Sequence, residues 1–165
     1  LAGGCESVIV VVGPPHQRAI ERALEGRRDR FVIENPEPGL GMLHSLQIGI
    51  TEACRHDADA VVVGLVDHPG VRSGTVAELI ASWKRGSGGV VLQPQYRSHR
   101  GHPFMIDRAG FDTIARAEPT AITRDVLLQA GARVVVVVDD PGVVQDIDTR
   151  AGLADIGVQV PSRSG

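Results

Sequence analysis

The chain has 165 residues, 42% hydrophobic and 22% charged, enough apolar chain for one buried core and too apolar for disorder. Its net charge of −3 leaves no overall basic field for nucleic acid, and no apolar run approaches the ~20 residues of a membrane-spanning helix. Two cysteines, Cys5 and Cys54, make neither a disulfide framework nor a CxxC motif. The expectation is a reducing, cytoplasmic setting with both thiols as small buried residues.

Aromatics are only 3% and valines number 23, so the core is aliphatic. In chain order, residues 7–12 (SVIVVV) read as a strand buried on both faces. Residues 16–26 carry a helical stripe at Ala19, Ile20, Ala23 and Leu24, with Gly26 as the stop. Residues 31–34 are a short strand, 35–41 (NPEPGLG) a rigid turn, and 42–54 a helix with Leu43, Leu46, Ile50 and Ala53 on one face. A second long buried strand is expected over 58–66 (ADAVVVGLV).

Ser73 reads as the cap of a helix through Lys84 whose core face is Val76, Ala77, Leu79, Ile80 and Trp83. Residues 89–93 are a third strand, 96–103 a polar loop and 104–106 a short extended piece. Helices are expected over 108–116 and 123–130, a fourth strong strand over 133–138 (RVVVVV), and a last helix over 151–156. Residues 139–149 read as an acidic loop, with Asp139 and Asp140 in an exposed turn before Pro141. Strands alternate with helices, which predicts a three-layer α/β fold: a Rossmann-like, mostly parallel sheet with helices on both faces, in one domain over 1–165.

Ligands of open α/β sheets bind beyond the carboxyl ends of the strands. The polar residues expected there are Asn35, Asp67-His68, residues 96–102 and the run Asp146-Ile147-Asp148-Thr149. Asp67 is the sharpest candidate: a carboxylate at a strand end suits a hard cation such as Mg2+. It suits a turn cap before Pro69 equally well. Asp148 is the natural second carboxylate, with a helix N-cap as its plain alternative. If 146–148 is extended, Asp146 and Asp148 share the side away from Ile147. His99-x-x-His102 has a metal-like spacing but no Cys or Glu companion, a weak zinc signal. His68 reads as shaping the pocket beside Asp67, and His16, His44 and His56 as surface or capping residues. Arg97 and Arg100 suit an anionic group or a solvated loop. Neither GxGxxG nor GxxxxGK[ST] occurs.

Four segments stand in register: Asn35-Pro36 with Gly41, Ser45-Leu46 and Gly49; LVDHPGV at 65–71; RGHPFMID at 100–107; and DIDT at 146–149. Together they resemble the MobA-like nucleotidyltransferases, nearest the molybdenum cofactor cytidylyltransferase branch, over residues 6–153. The resemblance implies a nucleotide-diphospho-sugar transferase-like fold. It implies transfer of a nucleoside monophosphate, CMP favoured and GMP possible, from CTP or GTP to a phosphorylated acceptor such as molybdopterin, releasing pyrophosphate. Asp67 matches the metal-binding Asp of that family, and Asp148 the acid of its closing motif, the two holding Mg2+ and serving catalysis. Asn35, Gly41 and Ser45 match the nucleotide-lining segment. Arg100, Gly101, His102 and Pro103 match the loop facing the acceptor.

Such a transfer needs in-line placement and charge neutralisation rather than covalent help. The acceptor phosphate is already ionised, so no general base is needed. The implied partners are a nucleotide, a small phosphorylated acceptor and a molybdenum enzyme, with no nucleic acid and no membrane.

The family opens on a strand and a glycine-rich L-A-G-G-x-S-x-R-M-G-x-x-K loop. Here Leu1-Ala2-Gly3-Gly4 is followed by Cys5-Glu6-Ser7-Val8. On this reading residues 1–165 lack the domain's first strand, its phosphate loop and most of its first helix, leaving an open sheet edge. Residues 120–125 (TAITRD) also depart from the GD-x-GAR-like stretch of many cytidylyltransferases, which bears on the acceptor. The alternative function is a non-catalytic cofactor-binding or insertion-chaperone domain of the same fold.

Overall fold

A computed structural model describes residues 3–26, 29–86 and 90–155. The strands are β1 (Val8–Val12), β2 (Arg30–Glu34), β3 (Ala60–Val63), β4 (Val90–Tyr96), β5 (His99–Arg100), β6 (Phe104–Asp107) and β7 (Ala132–Val137). The helices are α1 (Gln17–Ala23), α2 (Met42–Arg55), α3 (Ser73–Arg85), α4 (Phe111–Arg116), α5 (Thr123–Ala130) and α6 (Arg150–Asp155).

β4 is the axis of the larger sheet. On one edge it pairs in parallel with β7, Val91 opposite Arg133 and Gln95 opposite Val137. On the other it meets β5 and then β6, both antiparallel, and β6 pairs antiparallel with β3. Thus β3, β4 and β7 run in one direction and β6 runs against them. β1 and β2 form a separate parallel pair, and no ladder joins β1 to β3 among the described residues.

Two apolar cores lie on the two faces of the larger sheet. On one, Leu43, Leu46 and Ile50 of α2 pack with residues of α4 and α5 over Val91, Phe104 and Ile106. On the other, Leu79 of α3 lies over Leu92, Met105 and Val136. Each fully buried aliphatic side chain contributes about 1.5–3 kcal/mol. Two aliphatic faces therefore hold three layers without aromatic stacking. Buried Gln47 ties α2 to the end of α4, its Nε2 donating to Ile114 O at 2.9 Å and Ala117 O at 2.8 Å. Both carbonyls belong to the C-terminal end of α4, where Ile114 O also accepts from Ala117 N at 3.3 Å.

Several expectations change. β1 is half-buried rather than enclosed on both faces, because β2 is its one strand partner in the described region. The stripe of α1 is not buried. β3 stops at Val63: the chain leaves the sheet at Gly64, and Val66 is 97% exposed. Ala77 is exposed on α3, and Ser73 does not cap that helix. Among the described residues β4 is the one strand partner of β7, whose valines are largely open to solvent. Cys54 is exposed and Cys5 half-buried, which burial answers by pushing the Cys5 thiol up. The last helix ends at Asp155, and Ile156 lies outside the described residues.

Candidate active site

Because β3, β4 and β7 run the same way, the segments 64–72, 97–103 and 138–149 gather at one rim. Their backbones interlock. Ile147 N donates to Asp67 O at 2.7 Å, and His102 N to Val143 O at 2.7 Å. A Cβ on Gly142 would strike the Gly70 carbonyl, and one on Gly101 would fall on the Val143 carbonyl. Both glycines are therefore required by close backbone approach.

Asp67 sits at this rim with its side chain 41% exposed. His68 Nδ1 lies 2.9 Å from Asp67 Oδ1 and donates to the carboxylate. That hydrogen bond holds the Asp67 carboxyl below its ordinary value, against a smaller opposing effect of burial. The carboxylate thus accepts from a histidine ring rather than from the turn amides of residues 68–71. Asp148 is exposed one residue beyond the Ile147 bond to Asp67. The helix-capping alternative for Asp148 falls to its neighbour: Thr149 Oγ1 accepts from Gly152 N at 3.1 Å. Asp146 and Asp148 are both exposed while Ile147 is half-buried, as alternation requires.

Two open carboxylates on adjoining segments fit a hard divalent cation that completes its shell with water and phosphate oxygens. They do not fit a closed protein cage. Among the described residues no group of three or more His, Cys, Asp or Glu gathers as a metal cluster. The His99/His102 spacing makes none either: His99 is exposed on β5 beside Ser98, whereas His102 turns inward.

His102 joins the rim to the sheet. Its ring centroid is 5.2 Å from that of His68 and 5.5 Å from that of Phe104. Its Nδ1 is buried without a hydrogen-bond partner. Burial pushes the His102 pKa below 6.5 and the His68 charge adds to this, while Asp67 opposes. The unfolded chain takes up this proton near pH 6.5, the folded protein only lower. Stability therefore falls as pH drops through that window and levels off below the folded value. We expect an imidazole titration below pH 6.5 by NMR, and a flatter melting temperature between pH 7 and 5 in His102→Gln. An unchanged slope in that variant would remove His102 as the cause.

Beside His102 opens a cavity of about 360 Å³, lined by Arg100 of β5, by His102 just after it, and by Gln93, Phe104 and Arg133 from the rest of the sheet. Met42 of α2 and Thr123, Arg124 and Leu127 of α5 close it. Of residues 100–103, Arg100 and His102 line this cavity. Gly101 and Pro103 are buried, Gly101 against the Val143 carbonyl.

The structure also brings Asn35 and Ser45 together. Asn35 Nδ2 donates to Ser45 Oγ at 2.9 Å, its Oδ1 accepts from Glu37 N at 2.9 Å, and it is 1% exposed. This pair fixes the turn into α2. Gly41, with φ +100 and open space where a Cβ would lie, is the N-cap of α2.

The turn at Asp140 is not exposed as expected. Asp140 is 2% exposed and accepts from Arg72 N, Thr75 Oγ1 and Gly142 N at 2.9, 2.6 and 3.0 Å. It caps α3 from 65 or more residues away in sequence, which no local pattern signals.

The MobA-like NTP transferase domain family matches residues 1–134. The chain belongs to that family. This makes it a nucleotidyltransferase-type domain. It is 30% identical over 159 residues to a nicotine blue oxidoreductase of Paenarthrobacter nicotinovorans, covering 90% of this chain and 74% of the relative. It is 28% identical over 159 residues to a phosphoenolpyruvate guanylyltransferase of Sphaerobacter thermophilus, covering 92% and 70%. A Mycobacterium tuberculosis H37Rv protein crystallised with manganese shares the fold, with a TM-score of 0.64 at 22% identity over 94% of this chain and 79% of that one. The α/β architecture of the MobA-like domain is thus seen in both sequence and structure, and no described helix is long and apolar enough to cross a membrane.

Proposed function

We propose that this MobA-like domain moves a nucleoside monophosphate from an NTP to a phosphorylated acceptor of the molybdopterin type, releasing pyrophosphate. CMP is favoured by the motif resemblance, and the guanylyltransferase name of the Sphaerobacter relative favours GMP. The observation that carries the reading is the joining of Asp67 to the segment bearing Asp148, through Ile147 N to Asp67 O at 2.7 Å.

Asp67 and Asp148 would hold Mg2+; the manganese-bound structural relative supports a divalent ion of this kind. When bound, such an ion neutralises phosphate charge and orients the reacting groups. The remaining work belongs to the chain itself. His68 fixes the Asp67 carboxylate and keeps it ionised. His102, held neutral by burial, adds no charge of its own between rim and cavity at neutral pH. Asn35 and Ser45 brace the turn that precedes α2. The acceptor phosphate attacks as an existing anion, so the reaction needs no histidine–carboxylate–nucleophile triad.

Incubation with each NTP, Mg2+ and a phosphorylated pterin is expected to release pyrophosphate with CTP or GTP, dependent on the acceptor. A folded protein that releases none with any NTP overturns the reading. Acceptor binding without release is the outcome belonging to the non-catalytic alternative. The oxidoreductase name of the Paenarthrobacter relative supports a second reading, redox turnover at the same rim, which pyrophosphate release would separate from transfer.

A further inference from the structure

With β4 as its one strand partner among the described residues, β7 has an open backbone edge on its other side. Val138 N donates to Gln95 O at 2.9 Å, which fixes the alternation along the strand. Residues 134, 136 and 138 turn their backbone groups to β4. Arg133, Val135 and Val137 turn theirs outward, where they have no hydrogen-bond partner among the described residues. Natural edges of this kind are blunted by a lysine, a proline or a bulge. Residues 134–138 are five consecutive valines, in unbroken register with β4 through Val137. Val134, Val135 and Val137 are exposed, as is Leu128 on α5, which packs beside β7. Two opposite charges bracket the run. Arg133 precedes it and Asp139 follows it, and neither has an ion-pair partner among the described residues. Arg72 Nη1 donates to the Asp139 carbonyl at 2.8 Å and leaves its carboxylate open.

We propose that β7 pairs antiparallel with β7 of a second copy of this chain, joining two sheets across a two-fold axis. Such an isologous contact closes at two copies and covers both β7 edges. The charges choose the register. Outward residues must stand opposite outward residues, and only the register with Val135 opposite Val137 sets Arg133 opposite Asp139. Symmetry repeats that ion pair at both ends of the run, with Val136 opposite itself at the centre. Each Val135–Val137 pair exchanges both N–H···O bonds. Opposed side chains share a face, their Cβ atoms about 4.5–5.5 Å apart, within reach of an Arg–Asp contact. Main-chain bonds supply the affinity and the two ion pairs the register. Arg133 also lines the cavity beside His102, so the pairing anchors one wall of that cavity. The contact does not depend on the transfer reading.

The test is the solution mass of the chain by sedimentation over a dilution series. Twice the chain mass is expected, falling to one on dilution. Arg133→Asp and Asp139→Arg each set like charges opposite one another at both ends of the run. Each is expected to raise the dissociation constant at least about tenfold. Combining them exchanges the charges and is expected to restore the constant to within about threefold of the parent. Val135→Pro removes an outward N–H from each copy and leaves the β4 ladder intact, because that N–H faces away from β4. A single-chain mass is expected of it. If Val135→Pro does not melt cooperatively, Val137→Lys charges the same edge and is expected to dissociate the pair. A single-chain mass at every concentration, a mass that keeps growing with concentration, or a dimer indifferent to the edge and charge variants overturns the proposal. A dimer that yields to Val135→Pro but is not restored by the charge exchange overturns the register.

Discussion

Asp67→Asn is expected to lower pyrophosphate release at least about 100-fold, the scale on which removing one electrostatic group acts on phosphoryl and acyl transfer. The substitution keeps the side chain's shape and removes its charge. Asp67 is exposed at the rim and its carboxylate serves His68 alone among the described side chains. Its loss therefore costs the fold no more than about 1 kcal/mol, and the melting temperature moves only a few degrees. Asp148→Asn is expected to act in the same direction. If the two carboxylates serve one ion, the double variant is little worse than the poorer single variant, as groups acting together are non-additive. Because His68 holds the Asp67 carboxyl below its ordinary value of 3.8, loss of turnover on acidification above pH 4 has another source. Unchanged pyrophosphate release in Asp67→Asn removes the metal role from this residue.

The legible parts of the molecule are those written in local periodicity. Leu43, Leu46, Ile50 and Ala53 recur at helical spacing and are all buried on α2. The run RVVVVV declares a strand, and β7 is one, but five valines carry no information about which edge of the sheet they occupy. Their exposure follows from topology: β4 is the one partner of β7 in the described residues. The reversal of β6, against the expectation of a mostly parallel sheet, is legible in the length of its connection. The connection 97–103 is too short for a parallel crossover, which takes a dozen or more residues, so an antiparallel return was the available choice.

The candidate site divides in the same way. Asp67, Asp148, Arg100 and His102 follow strands, and the rule that ligands sit beyond strand ends finds them. Arg124 and Arg133 escape that rule. One opens a helix, the other stands near the start of β7, and both line the face of the sheet rather than its rim. Asp140 escapes because its partners Arg72 and Thr75 are distant in sequence. Asn35 and Ser45 enter through the resemblance, as residues of the nucleotide-lining segment, and the structure shows them hydrogen-bonded to each other.

The largest expected loss of stability comes from Asp140→Ala, about 3–5 kcal/mol, the cost of breaking a buried charged network from one side. The change leaves the buried Thr75 hydroxyl, Arg72 N and Gly142 N without their acceptor. For a domain of this size that lowers the melting temperature by roughly 6–20 °C. The damage also reaches the site. Asp140 starts the turn whose Gly142 lies against Gly70 and whose Val143 carbonyl accepts from His102 N. One buried carboxylate thus fixes the relative positions of the Asp67 loop and the His102 loop. Asp140→Ala is therefore expected to reduce pyrophosphate release even at temperatures where the variant is folded, whereas Thr75→Val removes one of the three donors and costs less than half as much stability. A melting temperature within 2 °C of the parent in Asp140→Ala would show that the turn is held by its packing against Gly70 and Gly101, and that the carboxylate is incidental to it.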